Sequence, residues 1–189
     1  MYTYVYLVRH GESPKSEKNE ERTRGLTDKG VKDAIILANR LVEEGIDIII
    51  SSPYRRSILT VQELAYRLRK QILIEENLKE RIFSLEERQL TERELLELLS
   101  QSFENPTYTL NGAESNYDCQ NRGIATLTDT LEKFQGQKIV FASHGVLITQ
   151  ILGFFDQVYN DLEFLWNMDK PAVFSMKFMG KELLEITRL

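Results

Sequence analysis

The stretch Tyr2-Thr-Tyr-Val-Tyr-Leu-Val-Arg9-His10-Gly11-Glu12-Ser13 decides how this chain folds. Its first seven residues are mostly aromatic or β-branched, which is typical of a strand that is buried on both faces. The apolar run ends at Arg9, and Gly11 supplies the backbone freedom that lets a ligand come close. In open α/β folds, ligands bind beyond the carboxyl ends of the strands. The stretch therefore predicts a buried strand that delivers His10 to a ligand site.

The only other histidine of the chain is found in the same setting. His144 follows the strand-like run Lys138-Ile-Val-Phe-Ala-Ser143, and it is also followed by a glycine. A single histidine is more often structural or exposed than chemically active. Two His-Gly pairs, each at the end of an apolar strand, favour a common site for both imidazoles.

Length and composition limit the classes of protein that fit. A chain of 189 residues suits one domain, with or without a small insertion, and its 42% hydrophobic and 28% charged residues are ordinary for a soluble protein. The net charge of −5 argues against nucleic-acid and acidic-membrane partners, which need a basic face. The single Cys119 excludes an internal disulfide and fits a reducing compartment. With neither a signal peptide nor an apolar run of about 20 residues, we expect a cytoplasmic protein.

Strand and helix signals alternate along most of the chain. The predicted strands cover about 2–8, 47–50, 72–74, 138–143 and a hairpin over 172–187 that turns at Gly180, and the predicted helices cover about 28–44, 54–70, 91–99, 115–134 and 146–155. The predicted N-caps include Thr27, Thr91 and Ser115, and Pro53 suits the first turn of the second helix. This alternation predicts an α/β fold, a three-layer sandwich with a mostly parallel central sheet and helices on both faces. The alternation lapses at about 84–112. We therefore expect one domain over residues 1–189 with a small cap insertion there.

Several arginines lie where an anion could bind. Arg55 and Arg56 fall in the first turn of the second helix, where a basic side chain opposes the helix dipole at a cost of ~0.3–1 kcal/mol. An anion bound at this helix start would explain one of them. Arg22 and Arg24 lie on a polar loop tethered close to His10, so they are further candidates for binding.

Six motifs in the same order resemble the histidine phosphatase superfamily, the phosphoglycerate-mutase-like proteins. They are Arg9-His10-Gly11-Glu12-Ser13, Leu26-Thr27-x-x-Gly30, Ser51-Ser52-Pro53-x-x-Arg56, Leu78-x-Glu80, Gly112-x-Glu114-Ser115 and His144-Gly145. The resemblance covers nearly the whole chain. It implies a small phosphorylated metabolite as the substrate, no cofactor and no metal ion, and the sequence has no cluster of metal-ligating residues.

The resemblance also implies a role for each motif residue. His10 is expected to be the nucleophile, because a neutral imidazole can accept a phosphoryl group near pH 7. Arg9 and Arg56 are expected to clamp the phosphate, and His144 to stabilise the charge on the transferring group. Glu80 matches the family's proton donor. The alternative for Glu80 is a solvated position in a run of acidic residues.

Other residues of the motifs have weaker assignments. Ser13 is expected either to contact the phosphate or only to stabilise the turn, and Gly145 joins Arg22 and Arg24 in the predicted substrate-binding set. Glu114-Ser115 is expected to be mainly structural, as a helix N-cap with an acidic neighbour.

Three functions fit these motifs. The first is a metal-independent phosphatase, the second a phosphoglycerate mutase, and the third a regulatory module that binds phosphate without turnover. Pro14-Lys15-Ser16 stands where the family's mutases typically have a Trp-Asn pair, and Phe83-Ser84-Leu85-Glu86-Glu87 replaces a Gly-rich segment. A mutase must exclude water from its phosphorylated histidine, and we expect no C-terminal tail to close this pocket. Hydrolysis is therefore the expected reaction.

Overall fold

The computed structural model describes residues 1–14, 21–85 and 90–189. These residues form a six-stranded sheet and α-helices on both sides of it. In chain order the elements are β1 (Tyr2–Arg9), α1 (Asp28–Val42), β2 (Ile48–Ser51), α2 (Arg55–Leu68), β3 (Ile72–Ile74), α3 (Glu92–Glu104), α4 (Asn116–Lys133), β4 (Lys138–Ser143), α5 (Gly145–Phe155), α6 (Leu162–Asn167), β5 (Ala172–Met179) and β6 (Glu182–Arg188).

The sheet topology brings the two histidines together. The strand order is β3-β2-β4-β1-β5-β6, with β1 to β4 parallel and the hairpin β5–β6 antiparallel. Arg9 and Ser143 are paired across β1 and β4, and the His10 N–H donates to the Ser143 carbonyl at 3.0 Å. His10 and His144 therefore leave neighbouring strands at the same edge. The predicted α/β fold with a mostly parallel sheet is confirmed.

Strand β1 is buried on both faces because its alternate side chains enter two separate hydrophobic clusters. Val5 and Leu7 pack with helices α4 and α5, whereas Tyr6 and Val8 pack with helices α1 and α2. Burying one such aliphatic side chain contributes about 1.5–3 kcal/mol. The continuous apolar pattern of β1 thus supports a helical layer on each side of the sheet, as predicted.

Helix starts agree with the predicted caps, except at α2. The side chains of Thr27, Thr91 and Ser115 accept backbone N–H groups at the starts of α1, α3 and α4. Pro53 was expected in the first turn of the second helix, but Tyr54 is the N-cap and Pro53 precedes it. Helix α3 runs five residues beyond the predicted end at Leu99, because its buried face continues to Ser102.

Helix α6 had no counterpart among the predicted elements. It has only six residues, which is too short to show a helical repeat in the sequence. Helix α3 packs against it, which joins the 84–112 segment to the rest of the fold. That this segment caps the site, within one domain over residues 1–189, stays a prediction, and residues 86–89 lie outside the described part.

Helix α5 is strongly apolar and is buried from Gly145 to Gly153. It has eleven residues and packs against α4 and β1. In the described ranges, no helix combines the length and the apolar composition needed to cross a membrane.

Candidate active site

His10 is the first residue after β1, and its side chain is almost completely buried, with 7% of the residue exposed. Its Nδ1 lies 2.7 Å from the Gly11 carbonyl oxygen, which can only accept a hydrogen bond. We therefore assign the proton to Nδ1 and the lone pair to Nε2. Arg56 donates its Nε–H to this Nε2 at 3.1 Å, in agreement with the assignment.

The surroundings of His10 keep its imidazole neutral. Burial is the main cause that lowers its pKa well below the ordinary value, and the positive charges of Arg56 and Arg9 lower it further. At pH 7 the side chain is therefore uncharged. A neutral imidazole with an unprotonated Nε2 can attack phosphorus without an added base.

Arg9 lies at the end of β1 with its side chain directed toward α6. Its Nη1 donates to the backbone carbonyls of Leu165 and Met168, and its buried Nε has no hydrogen-bond partner among the described residues. Gly145 leaves room for this guanidinium, since a Cβ atom at residue 145 would lie 3.0 Å from Arg9 Nη2. The structure therefore links the predicted residues Arg9 and Gly145 directly.

Arg56 is 1% exposed and lies in the first turn of α2. Besides its bond to His10, it donates to the Glu21 carbonyl at 2.6 Å and to Glu21 Oε2 at 2.8 Å. Its guanidinium also lies 4.9 Å from the centre of the Tyr54 ring. Glu21 thus offsets the charge of a buried arginine at a helix start. Sequence reasoning missed Glu21, because nothing in its polar loop indicates this long-range pairing.

His144 is fully buried at the N-cap of α5, and its ring centre lies 5.2 Å from that of His10. Its Nε2 shares a hydrogen bond of 2.7 Å with the Ser52 hydroxyl, and its Nδ1 is without a partner in the described chain. Burial, followed by the nearby charge of Arg56, lowers its pKa well below the ordinary value. Ser52 belongs to a motif that we identified, but we had not assigned it to the site.

Glu80 lies beside the start of α5, although it belongs to an acidic stretch of sequence. Its carboxylate accepts the N–H groups of Val146 and Leu147, each at 3.3 Å, and that of Arg81 at 2.9 Å. Free N–H groups at a helix start attract negative charge. This position next to His144 favours a role for Glu80 in the site over a solvated one.

The other predicted binding residues lie in the loop after β1. The Ser13 hydroxyl donates to the Gly25 carbonyl at 2.6 Å and accepts a bond from Arg24, which also forms an ion pair with Glu21. Arg22 forms an exposed ion pair with Glu76. Both hydrogen bonds of Ser13 lie within the turn, and its contact with the phosphate stays a prediction. Residues 15–20 of this polar loop lie outside the described residues.

Lys170 is a further cation near the site that the sequence analysis missed. It lies two residues after Met168, whose carbonyl accepts a hydrogen bond from Arg9. It also lies two residues before Ala172, which is paired with Arg9 across the sheet. Partial burial, followed by the positive charges of Arg9 and Arg24, lowers its pKa. Lys170 is nevertheless exposed to solvent. No sequence pattern indicated it, because the register of β5 against β1 brings it to this edge.

The described side chains give no sign of a metal centre. Within 1–14, 21–85 and 90–189, no three His, Cys, Asp or Glu side chains cluster as metal ligands would. Cys119 is completely buried, and burial raises the pKa of its thiol well above the ordinary value.

Comparison with known proteins identifies relatives along most of the chain. A protein named putative phosphoserine phosphatase 2 from Hydrogenobacter thermophilus is 27% identical, and the match covers 94% of this chain and 91% of that protein. A protein named as a probable phosphoglycerate mutase from Salmonella paratyphi B is 35% identical and covers 79% of this chain and 74% of its own.

Solved structures have the same fold. A mycobacterial glucosyl-3-phosphoglycerate phosphatase superposes with a TM-score of 0.80 at 17% identity, covering all of this chain and 97% of its own. Phosphoserine phosphatase from Entamoeba histolytica, in complex with 3-phosphoglyceric acid, superposes with a TM-score of 0.78 at 22% identity, covering 98% and 96%. These comparisons agree with the predicted phosphoric monoester hydrolase of the histidine phosphatase type. Since the model of the histidine phosphatase superfamily, branch 1, matches residues 5–183, the chain belongs to that superfamily.

Proposed function

We propose that this chain is a metal-independent phosphatase that hydrolyses small phosphomonoesters through a phosphohistidine at His10. The observation that carries the proposal is the state of His10. Its imidazole is buried and neutral, its Nδ1 proton is held by the Gly11 carbonyl, and its Nε2 lone pair meets the Arg56 guanidinium. A nucleophile whose unprotonated nitrogen lies beside a cation is suited to attack an anionic phosphoryl group, because the cation also attracts that group.

The first step transfers the phosphoryl group to His10. An oxygen of the phosphomonoester takes over the Nε–H of Arg56, which frees Nε2 to attack phosphorus. The Nε2–P bond forms while the bond from phosphorus to the ester oxygen breaks, and Glu80 in its acid form gives its proton to the leaving oxygen. Arg9, Arg56 and the unpartnered Nδ1 of His144 stabilise the phosphoryl oxygens, where charge accumulates.

The second step returns the protein to its starting state. A water molecule attacks the phosphohistidine, the Nε2–P bond breaks, and Glu80 accepts the proton of the water. Inorganic phosphate then leaves, and His10 regains its bond with Arg56. Arg9 and Arg56 supply the positive charge that a divalent metal supplies in other phosphoryl transfers, and neutral His144 adds a hydrogen bond, so we expect no metal requirement.

The competing function is a phosphoglycerate mutase, because the relative with 35% identity carries that name. The names of the relatives favour hydrolysis, and two cations indicate an acidic substrate for either reaction. The relative that covers 94% of the chain is named as a phosphoserine phosphatase, and two structural neighbours are phosphatases by name. Lys170 and Arg24 add positive charge at the edge of the site, where an acidic substrate would extend.

One experiment separates the functions. The protein is supplied with phosphoserine, or with 3-phosphoglycerate and catalytic 2,3-bisphosphoglycerate, in the presence of a chelator. We expect phosphate release with little 2-phosphoglycerate, and an acid-labile, base-stable phosphoryl label that is absent in His10→Ala and persists in Glu80→Gln.

Each alternative gives a different result in this experiment. Rapid formation of 2-phosphoglycerate with little free phosphate would make the protein a mutase. Tight phosphate binding with no turnover of either substrate would make it a binding module. Activity that disappears in the chelator and returns with added metal would refute the metal-independent mechanism.

A further inference from the structure

The ion pair between Glu114 and Arg122 has no part in the chemistry described so far. Arg122 Nε lies 2.8 Å from Glu114 Oε1, and its Nη2 lies 3.0 Å from Oε2, so the contact is bidentate. Each side chain is only 13% exposed. A bidentate contact between a guanidinium and a carboxylate fixes orientation as well as distance.

This ion pair holds the backbone on both sides of Glu80. Before Glu80, Arg122 Nη1 donates to the Lys79 carbonyl at 3.1 Å and to the Asn77 carbonyl. After Glu80, the Ile82 N–H donates to Glu114 Oε2 at 2.9 Å. One buried contact therefore determines where the chain enters and leaves the position of Glu80.

Backbone contacts of Glu114 strengthen the same attachment. Its N–H donates to the Ile82 carbonyl at 3.1 Å, and its carbonyl accepts the Nε–H of Arg81 at 2.8 Å. Arg81 directly follows Glu80, is 2% exposed, and also donates to Asn116 Oδ1 at 2.7 Å. The loop is thus tied to the start of α4 at several points.

The side chain of Glu80 depends on this backbone position. Its two bonds to the N–H groups of Val146 and Leu147 are 3.3 Å long, at the outer limit for such bonds. A displacement of a few tenths of an ångström would break them. Proton transfer requires a carboxylate that is held within about 0.5 Å of its productive position.

We propose that Glu114 and Arg122 are positioning residues that hold the Glu80 carboxylate within reach of the leaving-group oxygen. The inference rests on the proposed function, because it takes Glu80 as the proton donor. The sequence predicted a structural role for Glu114-Ser115 at a helix start. Ser115 does cap α4, and the proposal adds that the Glu114 carboxylate holds the loop of Glu80.

The test uses the dependence of the rate on the leaving group. An alkyl phosphate needs a proton on its departing oxygen, whereas the 4-nitrophenolate of 4-nitrophenyl phosphate leaves without one. The constant kcat/KM covers only the steps up to loss of the leaving group. The variants are Glu114→Gln and Arg122→Lys, with Glu80→Gln as the reference for lost proton donation.

We expect Glu114→Gln to lower kcat/KM for β-glycerophosphate by ~10-fold or more. This loss is a part of the rate enhancement that a general acid usually contributes, because a displaced Glu80 donates its proton less efficiently. The same variant should change kcat/KM for 4-nitrophenyl phosphate only a few-fold. Arg122→Lys, which keeps the charge but loses the bidentate contact, should show the same selectivity. Inhibition by inorganic phosphate should be unchanged, because neither substitution alters Arg9 or Arg56, the proposed phosphate-binding arginines.

The control for a general loss of protein stability is Ala38→Gly in α1. Ala38 is buried in the hydrophobic cluster of α1 and α2, on the opposite side of the sheet from α4 and α5. It should lower stability to urea without leaving-group selectivity. If Glu80→Gln is selective but Glu114→Gln and Arg122→Lys slow both substrates equally, the positioning role is refuted and the proposed function stands. If Glu80→Gln is itself not selective, proton donation by Glu80 fails, and this inference fails with it.

Discussion

At the scale of single residues, Arg56 shows how a buried charge is kept for a ligand. Its side chain is fully inside the protein, and desolvation by burial lowers its pKa, yet a guanidinium stays protonated at pH 7. The Glu21 carboxylate offsets its charge, the Tyr54 ring lies beside the guanidinium, and His10 Nε2 accepts its Nε–H. A phosphoryl oxygen that replaces this contact would meet a donor already in position.

We predict that Arg56→Ala lowers kcat/KM by at least ~10²-fold, the usual effect of losing one preorganised donor to a developing charge. Arg56→Lys should recover only part of the rate, because an ammonium cannot contact His10 and Glu21 together. The matched control is Arg55→Ala, since Arg55 is exposed in the same turn of α2. A loss of only a few-fold in Arg56→Ala would show that another group binds the phosphate.

At the scale of elements, the start of α1 holds the loop that carries His10. The Thr27 N–H donates to the Glu12 carbonyl at 2.9 Å, and the Thr27 hydroxyl donates to the Glu12 carboxylate at 2.8 Å. Gly30, about one helical turn after Thr27, lies against the backbone of Glu12. A Cβ atom at residue 30 would be 2.2 Å from the Glu12 carbonyl oxygen, which no real contact allows. The glycine of the Leu-Thr-x-x-Gly motif is therefore required by close backbone approach.

We predict that Gly30→Ala lowers the free energy of unfolding by about 1–3 kcal/mol, the usual cost of overpacking, because α1 or the His10 loop must move. Activity should fall as well, since Glu12 is two residues from His10. Urea unfolding and kcat/KM are the measurements, with Lys32→Ala on the exposed face of α1 as the control. Equal stability of Gly30→Ala and the parent protein would contradict the close approach.

At the scale of the whole molecule, the two neutral histidines link stability to pH. In the folded protein, burial keeps both imidazoles uncharged, whereas each takes up a proton in the unfolded chain at its ordinary pKa of about 6.5. Below that pH the unfolded state binds more protons than the folded state. Acid therefore favours unfolding, and stability is lost as the pH falls from about 6.5 toward the lowered pKa values of the folded state.

We predict that the free energy of unfolding decreases by up to about 1.4 kcal/mol per pH unit for each histidine below pH 6.5. Urea titrations at pH 7.5, 6.5 and 5.5 would measure it, and these values lie above the main titration of the carboxylates. His10→Asn should roughly halve the slope, because only His144 then contributes. A flat free energy over this range would mean that the histidines accept protons in the folded protein.

Local sequence patterns were sufficient for most of the fold. The apolar runs of β1 and β4 predicted buried strands, and the caps at Thr27, Thr91 and Ser115 predicted helix starts, because burial of a whole strand and capping of a first turn depend on near neighbours. Helix α6 has too few turns to leave such a pattern. Since apolar character alone does not set the end of a helix, the extension of α3 was also missed.

The sequence by itself determined the chemical groups of the candidate site, because two His-Gly pairs at strand ends and an arginine at a helix start are local features. Only the tertiary structure decided which groups contact them. Glu21 reaches Arg56, Ser52 reaches His144, and Glu80 reaches α5 across long stretches of chain. These contacts depend on the register of parallel strands and on helix packing, which bring distant segments to one edge of the sheet. The reason is physical, since a hydrogen bond is specified by position in space and leaves no repeat in the sequence.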